Sequence, residues 1–454
     1  MASPIPIKLS IGKNSISVEV DGRSFSVTFP KNSLEKYPEP AKRILAENLA
    51  FASTIHLPFL MGKNTVMYQM RKPLAKELIE EGFRLSLPAT AFLKSQKTSE
   101  LIEKFSKFQY FFEEEEPSKH TLRQEDFEDK AVLLFSFGKD SLLTYAICRE
   151  IGVKTVPVYV REPLTIWENY FKEELSKRFF EEFGEEVLFI DNGLGALREP
   201  DKGLEERGWY GWELQLTQIG LMLILIAYVE KARYMFFGNE KSCDEGFFDK
   251  EGFWCNPVYE QSSEWILKFR EIVKTLGVEN ILIGSLIEPL HELAVIRILH
   301  HRYPEVAKYQ MSCGENMPEP RKSRWCGNCS KCARIYVFLL ANNVDPEKLD
   351  MPTNMLESKY RSLFCLFNGG KGNYGYDSAR LGRDEQLLAF LLAYRNGYEG
   401  DLIDLFKKMY LEEAERREGE LKKKFFGVNL AKTTPEELKG RVLEIFQEEL
   451  KEVW

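Results

Sequence analysis

Residues 131–141 read Ala-Val-Leu-Leu-Phe-Ser-Phe-Gly-Lys-Asp-Ser, five apolar residues followed by a turn that is mostly small and polar. The apolar run 131–135 predicts a buried strand, and the apolar residues after 141 are spaced like one face of a helix. A turn between a strand and a helix presents backbone N–H groups at the helix N-terminus, where phosphate binds readily. The stretch therefore predicts an α/β fold with a nucleotide site at residues 136–141.

Two common nucleotide-binding motifs do not match this turn. A Walker A loop needs a glycine five residues before its Gly-Lys pair, where this chain has Leu133. A dinucleotide-binding fingerprint needs three spaced glycines, and only Gly138 is present. An ordinary strand-to-helix turn is the plain alternative, but the order of strand, turn, Lys139 and helix favours a phosphate site.

The segment 126–345 alternates apolar strands with helical patterns. Near-continuous apolar strands separated by helices predict a five-stranded parallel, doubly wound sheet with helices on both faces. Ligands of such sheets bind at the carboxyl ends of the strands, which is where Ser136 lies. The predicted strands are 132–135, 156–160, 187–190, 235–237 and 281–283.

We predict two further regions around this domain. Residues 1–125 form an α+β module, with alternating strands at 7–9, 15–20 and 24–29 and a helix near 41–48. The acidic run Glu113–Glu116 is interpreted as a solvated linker at its end. Residues 346–454 form a helical region, with patterns at 384–394, 402–417 and 435–451. A glycine-rich stretch at 369–375 precedes them, and either a lid or a connecting loop fits it.

Composition limits the function classes. The chain has 454 residues, of which 44% are hydrophobic and 29% charged, and no apolar run approaches the roughly 20 residues that span a bilayer. The N-terminus lacks the basic and apolar regions of a signal peptide. We therefore expect a cytoplasmic protein without a membrane partner. The net charge of −8 disfavours a broad nucleic-acid surface. The oligomeric state stays open, a homodimer included.

Four of the eight cysteines, Cys313, Cys326, Cys329 and Cys332, lie within twenty residues. In a cytosolic chain such a cluster indicates a metal site instead of disulfide bonds. Four thiolates with two-residue gaps suit tetrahedral Zn²⁺. An iron–sulfur cluster is the open alternative, because four cysteines also hold that group.

Polar residues follow the fourth and fifth predicted strands. The first segment begins Gly238-Asn239 and contains Cys243, and the second, 284–292, contains His291. Because the carboxyl ends of parallel strands meet at one edge of the sheet, we expect both segments at the ligand crevice. Cys243 and His291 are candidate bases by position only, and a structural hydrogen-bonding role for His291 is equally open.

These motifs together resemble the PP-loop ATP pyrophosphatases. Residues 136–141 match the loop Ser-Gly-Gly-Lys-Asp-Ser at five of six positions, with Phe137 in place of the first glycine. A Cβ there limits the turn to conformations open to a non-glycine residue. Gly238-Asn239, Pro289-Leu290 and the four cysteines resemble the 7-cyano-7-deazaguanine synthase branch. The length and plan of the whole chain are similar to those of the UDP-N-acetylmuramoyl-L-alanyl-L-glutamate epimerases.

The resemblance implies cleavage of ATP between its α- and β-phosphates and adenylation of a small-molecule carboxylate. Lys139 and Mg²⁺ would stabilise the leaving pyrophosphate, while the hydroxyls of Ser136 and Ser141 would donate to phosphate. Phe137, Gly138, Gly238 and Asn239 would complete the nucleotide site. Asp140 would hold Mg²⁺ or cap the helix, and the four cysteines would bind zinc.

The favoured reaction is epimerisation of the terminal L-glutamate of a nucleotide-linked peptide. Three alternatives stay open: a synthase-like enzyme acting on a deazaguanine carboxylate, a tRNA thiolation enzyme, and a non-catalytic nucleotide-binding adaptor. The acidic balance counts against the tRNA enzyme. The retained polar residues of the loop count against the adaptor.

Overall fold

The structure of the chain is a computed structural model that describes residues 3–30, 32–117, 122, 126–163, 165–198, 210–313, 321–369 and 380–453. Its described residues form twelve strands: β1 (Ile5–Ile11), β2 (Ser15–Val20), β3 (Arg23–Thr28), β4 (Thr65–Arg71), β5 (Gln109–Glu114), β6 (Glu128–Leu134), β7 (Lys154–Arg161), β8 (Leu188–Asn192), β9 (Ala232–Phe236), β10 (Phe247–Phe248), β11 (Trp254–Cys255) and β12 (Leu282–Gly284).

Ten of these strands form one mostly parallel sheet in the order β12-β9-β6-β7-β8-β3-β2-β1-β4-β5. The five strands predicted for the central domain are its first five, and all of them run parallel. The sheet does not stop there, so the prediction of a five-stranded sheet is wrong in extent. Strand β3 pairs antiparallel with β8 through Val27 with Asn192 and Thr28 with Asp191.

The N-terminal region thus continues the central sheet. Its alternating strands were predictable from the period of two, whereas their neighbour in space was not, because alternation carries no information on pairing partners. The run Glu113–Glu116, predicted as a linker, begins inside β5, where Glu114 forms an ion pair with Arg71 at 2.8 Å. The domain boundaries near 125 and 345 stay a prediction.

Described helices cover both faces of the sheet: α1 (Ser33–Lys36), α2 (Glu39–Thr54), α3 (Leu57–Met61), α4 (Lys76–Lys94), α5 (Thr98–Ser106), α6 (Lys139–Glu150), α7 (Ile166–Phe183), α8 (Gln215–Val229), α9 (Ser263–Thr275), α10 (Glu292–Arg302), α11 (Pro304–Ala307), α12 (Ser330–Ala341), α13 (Cys365–Asn368), α14 (Arg380–Arg395), α15 (Asp401–Met409), α16 (Leu411–Phe425) and α17 (Glu436–Leu450).

Successive residues of β6 point into two different cores. Ala131 and Leu133 pack with α6, α7 and α10 and with the C-terminal helices. Val132, between them, packs with α8 and α9 and with the helices of the N-terminal region. Because a strand buried on both faces needs apolar residues at consecutive positions, this arrangement explains the unbroken apolar run at 131–135.

The C-terminal region is helical, as predicted, with one difference. The predicted helix 402–417 is two helices, α15 and α16, separated at Tyr410, whose backbone leaves the helical region (φ −135°, ψ −6°). The glycine-rich stretch lies outside the described residues from 370 to 379, so the choice between lid and loop stays open.

Two described segments, Glu39–Met61 and Trp212–Val229, have the length and hydropathy of a membrane span. Within their most apolar windows, 94% and 72% of the residues, respectively, are buried inside the protein. The first segment comprises α2 and α3 and the second contains α8, and all three helices pack in the same core.

Candidate functional site

The turn after β6 places a large aromatic side chain in an unusual backbone conformation. Phe137 has φ 54°, in the left-handed region that is uncommon for residues with a Cβ. Its ring is fully buried, with ring centroids 4.7 Å from Phe135 and 5.7 Å from Phe179. The left-handed region is open to a residue with a Cβ, although glycine adopts it more readily, so Phe137 does not prevent the turn. The loop keeps a glycine-like turn, and burial of the ring offsets the strain.

Lys139 is the first residue of α6, and only 4% of it is exposed. Its Nζ lies 2.6 Å from Asp140 Oδ1, 3.1 Å from Glu240 Oε1 and 3.3 Å from Glu292 Oε1. Burial alone lowers the pKa of Lys139, but the three carboxylates raise it well above its ordinary value. The amine is therefore charged, in a cluster that holds more carboxylates than cations.

The remaining polar residues of the turn surround Gly138, the N-cap residue of α6. Ser141 Oγ donates to Gly138 O at 3.1 Å. Ser136 Oγ lies 3.3 Å from the position that a Cβ on Gly138 would occupy. The Asp140 carboxylate accepts from Lys139 and forms no capping hydrogen bond in the described structure, so the capping role is wrong.

The sequence did not single out the two glutamates beside Lys139. Glu240 follows β9, and burial raises its pKa well above the ordinary range. Its Oε2 is buried and has no hydrogen-bond partner among the described residues. Glu292 begins α10, and its Oε2 forms an ion pair with Arg334 Nε at 2.9 Å. Burial raises the pKa of Glu292, but Arg334 and Lys139 outweigh that effect and hold the pKa below its ordinary value.

Gly238 and Asn239 both lie beside the turn but act differently. A Cβ on Gly238 would lie 2.7 Å from Asp140 Cβ, so only glycine lets the two loops approach this closely. Asn239 Nδ2 donates to Ser262 O at 3.1 Å, while Ser285 Oγ donates to Asn239 O at 2.7 Å. The Asn239 amide therefore holds neighbouring loops together in this structure.

The two candidate bases are buried near this cluster, and neither is charged. Burial and the Glu240 carboxylate raise the pKa of the Cys243 thiol well above its ordinary value. Burial, together with Lys424 and Lys241, lowers the pKa of His291 to about 3. His291 Nδ1 lies 3.3 Å from Ser242 Oγ. Their catalytic roles stay predictions.

The four clustered cysteines converge, with every Sγ within 4.8 Å of the others. Backbone N–H groups point at three sulfurs, at 3.4 Å in each case: Cys326 N to Cys313 Sγ, Asn328 N to Cys326 Sγ and Cys332 N to Cys329 Sγ. Such N–H donors stabilise thiolates, and Gly327, at φ 63°, makes the tight turn between them. The donor set fits a tetrahedral metal ion such as Zn²⁺.

One helix connects the cysteine cluster to Lys139. Cys329 is the N-cap residue of α12, and its side chain accepts from Cys332 N. Arg334, one turn along that helix, holds Glu292, which in turn contacts Lys139. A metal bound by the cysteines would therefore set the position of the cation that orients Glu292.

The C-terminal region also reaches this edge of the sheet. Glu288, in the loop after β12, accepts from Thr433 N at 2.6 Å and from Lys432 N at 3.0 Å. A Cβ on Gly284 would lie 2.1 Å from Thr433 O, so the backbone segments around these two residues are in close contact. In α14, Glu385 accepts from Leu293 N at 2.8 Å. The loop that carries His291 and Glu292 is thus held from both sides.

Comparison with known proteins gives one distant match and no match to any established family profile. The chain is 24% identical over 217 residues to a UDP-N-acetyl-alpha-D-muramoyl-L-alanyl-L-glutamate epimerase from Xanthomonas oryzae pv. oryzae (strain MAFF 311018). The aligned region covers 46% of this chain and 44% of the relative, less than half of each. The chain is therefore distantly similar to an epimerase.

Proposed function

We propose that this protein is an AMP-forming ATP pyrophosphatase that adenylates a substrate carboxylate. The substrate we favour is a UDP-N-acetylmuramoyl-L-alanyl-L-glutamate-like molecule whose terminal L-glutamate is epimerised. The observation that carries the ATP chemistry is the buried, charged Lys139 at the N-terminus of α6, at the carboxyl end of β6. The distant similarity to an epimerase supports the substrate.

In the first step a substrate carboxylate oxygen attacks the α-phosphorus of ATP, forming an acyl-adenylate and releasing pyrophosphate. Negative charge grows on the leaving pyrophosphate. Lys139 and the backbone N–H groups at the start of α6 oppose that charge. The hydroxyls of Ser136 and Ser141, which border Gly138, would donate to the phosphate oxygens.

The carboxylates around Lys139 fit a divalent cation. The cluster has three carboxylates near one amine, and Glu240 Oε2 is a buried oxygen with no hydrogen-bond partner in the described chain. Oxygen ligands of this kind suit Mg²⁺, which Asp140 and Glu240 would hold. Bound there with ATP, Mg²⁺ would polarise phosphoryl oxygens. Zn²⁺ at the four cysteines would have a structural role.

Adenylation also makes the α-C–H of the glutamate more acidic. Loss of that proton and its return on the opposite face would invert the carbon, and hydrolysis of the adenylate would then release the product with AMP. Cys243 and His291 are the proposed acid–base residues by position, and the protonated Cys243 thiol would donate a proton and not accept one. The neutral imidazole of His291 is the form that accepts a proton.

Lys139→Ala should lower pyrophosphate release at least about 100-fold, because the leaving group loses its main cation. The assay supplies ATP, Mg²⁺ and UDP-N-acetylmuramoyl-L-alanyl-L-glutamate and measures pyrophosphate and AMP. Lys42→Ala is the matched control, since Lys42 is also buried and ion-paired, with Glu39 in α2. Lys139→Met retains the side-chain stem and serves if the alanine variant fails to fold.

Release at the wild-type rate from a folded Lys139 variant would contradict the ATP assignment. The product identifies the reaction: D-glutamate in the recovered peptide supports epimerisation. Nitrile formation from a deazaguanine carboxylate would favour the synthase-like alternative, and absence of AMP would favour the adaptor. A cytoplasmic location is part of the proposal and is supported by the four clustered cysteines, whose arrangement suits a metal ion.

A further inference from the structure

A cavity of about 180 Å³ lies between the N-terminal region and the central domain. Helix α4 forms one wall with Ala89 and Thr90. The chain from Trp212 to the start of α8 and the segment 256–261 form the others. Helix α8 directly precedes β9 and runs antiparallel to it, so the N-terminus of α8 lies at the carboxyl end of β9. Because β6 is parallel to β9, the cavity lies at the same edge of the sheet as the turn at Lys139.

The segment 256–261 lies between this cavity and the Lys139 cluster. On the side of the cluster, Asn256 Nδ2 donates to Cys243 O at 2.9 Å, and Gln261 Oε1 accepts from Cys243 Sγ at 3.6 Å. Asn256 and Gln261 also line the cavity. One loop therefore separates the cavity from the chain that carries Glu240.

The lining of the cavity disfavours anions. Glu213 and Glu260 are buried in its walls, and none of its fourteen lining residues, all in described parts of the chain, is Lys, Arg or His. Glu213 accepts from Thr90 Oγ1 at 2.6 Å. Burial raises the pKa of Glu213 and raises that of Glu260 to about 8, so Glu260 is mostly uncharged at neutral pH. A phosphate or carboxylate is disfavoured because the lining offers it no cation.

The same lining suits an uncharged polar ring. Trp212 and Tyr259 supply aromatic surface. Tyr259 is 6% exposed, and its buried hydroxyl has no hydrogen-bond partner among the described residues. A buried hydroxyl without a partner is unfavourable, and a ligand hydroxyl or amide would satisfy it. Binding sites for whole ligands measure roughly 300–1,000 Å³, so this cavity suits one ring.

We propose that the cavity is a subsite for an uncharged ring bearing hydroxyl or amide groups, held by Tyr259 and Trp212 at a distance from the reacting carboxylate. This inference rests on the proposed function, because the ring is taken to be part of the carboxylate substrate. The favoured substrate has two uncharged rings with hydroxyl or amide groups, the uracil and the N-acetylated sugar. It also gives the N-terminal region a role, because α4 supplies a wall of the subsite.

Saturation-transfer NMR with uridine and with N-acetylglucosamine tests the subsite directly, without ATP. Tyr259→Phe removes only the hydroxyl and should weaken binding of the preferred ring about three- to tenfold, the effect of losing one neutral hydrogen bond. In turnover assays it should raise KM for the carboxylate substrate by the same factor and leave KM for ATP unchanged. Tyr303→Phe is the matched control, since Tyr303 is equally buried but its hydroxyl already donates to Glu150 at 2.6 Å.

Ala89→Phe should abolish ring binding by filling the cavity. Binding of either ring that responds to both variants supports the proposal and identifies the ring as base or sugar. Absence of binding by both rings, equal binding by Tyr259→Phe, or displacement of the ring by pyrophosphate would overturn it. Ring binding without pyrophosphate release in the wild type would instead refute the proposed function alone.

Discussion

At Gly238 the absence of a side chain decides how closely two loops approach. The position that a Cβ would take lies 2.7 Å from Asp140 Cβ, shorter than non-bonded carbon atoms allow. The loop after β9 can therefore bring Glu240 to Lys139 only with glycine at 238.

Gly238→Ala should lower pyrophosphate release at least about tenfold while raising KM for ATP, because the new methyl group pushes Asp140 and the N-terminus of α6 away from Glu240. Gly440→Ala is the control, since nothing lies within 4 Å of its added Cβ in α17, and its exposed helical position favours alanine. Equal activity of the two variants would show that the close contact between Gly238 and Asp140 is not required for nucleotide binding.

Single residues of the site were predictable where the signal is local. Strand, turn and helix follow one another around Lys139, so its place was visible in the sequence. Glu240 is 101 residues away along the chain, and Arg334 acts through Glu292. Nothing in their local sequence indicates which cation each carboxylate meets, because folding alone brings them together.

At the scale of elements, α12 transmits the position of the cysteine cluster to Lys139. Cys329 caps this helix, which carries Arg334, the ion-pair partner of Glu292. Disturbing the N-terminus of α12 should therefore disturb the charge cluster without any direct contact to substrate.

Cys329→Ser should reduce bound metal from about one Zn²⁺ per chain to a small fraction and lower pyrophosphate release in parallel, since α12 loses its anchor. Metal content measured by plasma mass spectrometry checks the first expectation. Cys255→Ser, a buried cysteine outside the cluster, should retain the metal. Iron with sulfide in the wild-type protein would contradict the zinc assignment.

The sequence indicated elements well where hydrophobic periodicity is strong. The central strands were recognised as apolar runs, and β2 from its alternation, Ser15–Val20, with Ile16, Val18 and Val20 buried. Strands β4 and β5 were missed because their exposed faces include the apolar residues Met67 and Phe111, which obscure the alternation of apolar and polar residues. The break at Tyr410 was missed because both flanking helices continue the same apolar period.

At the scale of the whole molecule, burial of histidines makes folding sensitive to acid. Burial lowers the pKa of His56 and of His300 to about 4 and that of His291 to about 3. The unfolded chain takes up protons at these residues below about pH 6.5, whereas the folded chain does not. The contribution of these neutral histidines to the free energy of unfolding is therefore complete near neutral pH and is lost as the pH falls towards 4.

As the pH falls from 7 to 5, protonation of each of these histidines in the unfolded chain should lower the free energy of unfolding by about 2 kcal/mol. Urea unfolding at pH 7, 6 and 5 measures the loss. His300→Gln retains a hydrogen-bonding side chain beside Gln310 and should lose about 2 kcal/mol less than the wild type over this range. An identical pH dependence in the two proteins would exclude His300 as a source.

The contact between Glu288 and the backbone of Lys432 and Thr433 has a consequence for synthesis. The partners are 145 residues apart at Thr433, so the ribosome must add nearly the whole C-terminal region before Glu288 meets them. The loop that presents Glu292 to Lys139 is completed only then. A nascent chain can build its parallel strands early, but the contacts that hold the Glu292 loop in place form only after Thr433 has been added.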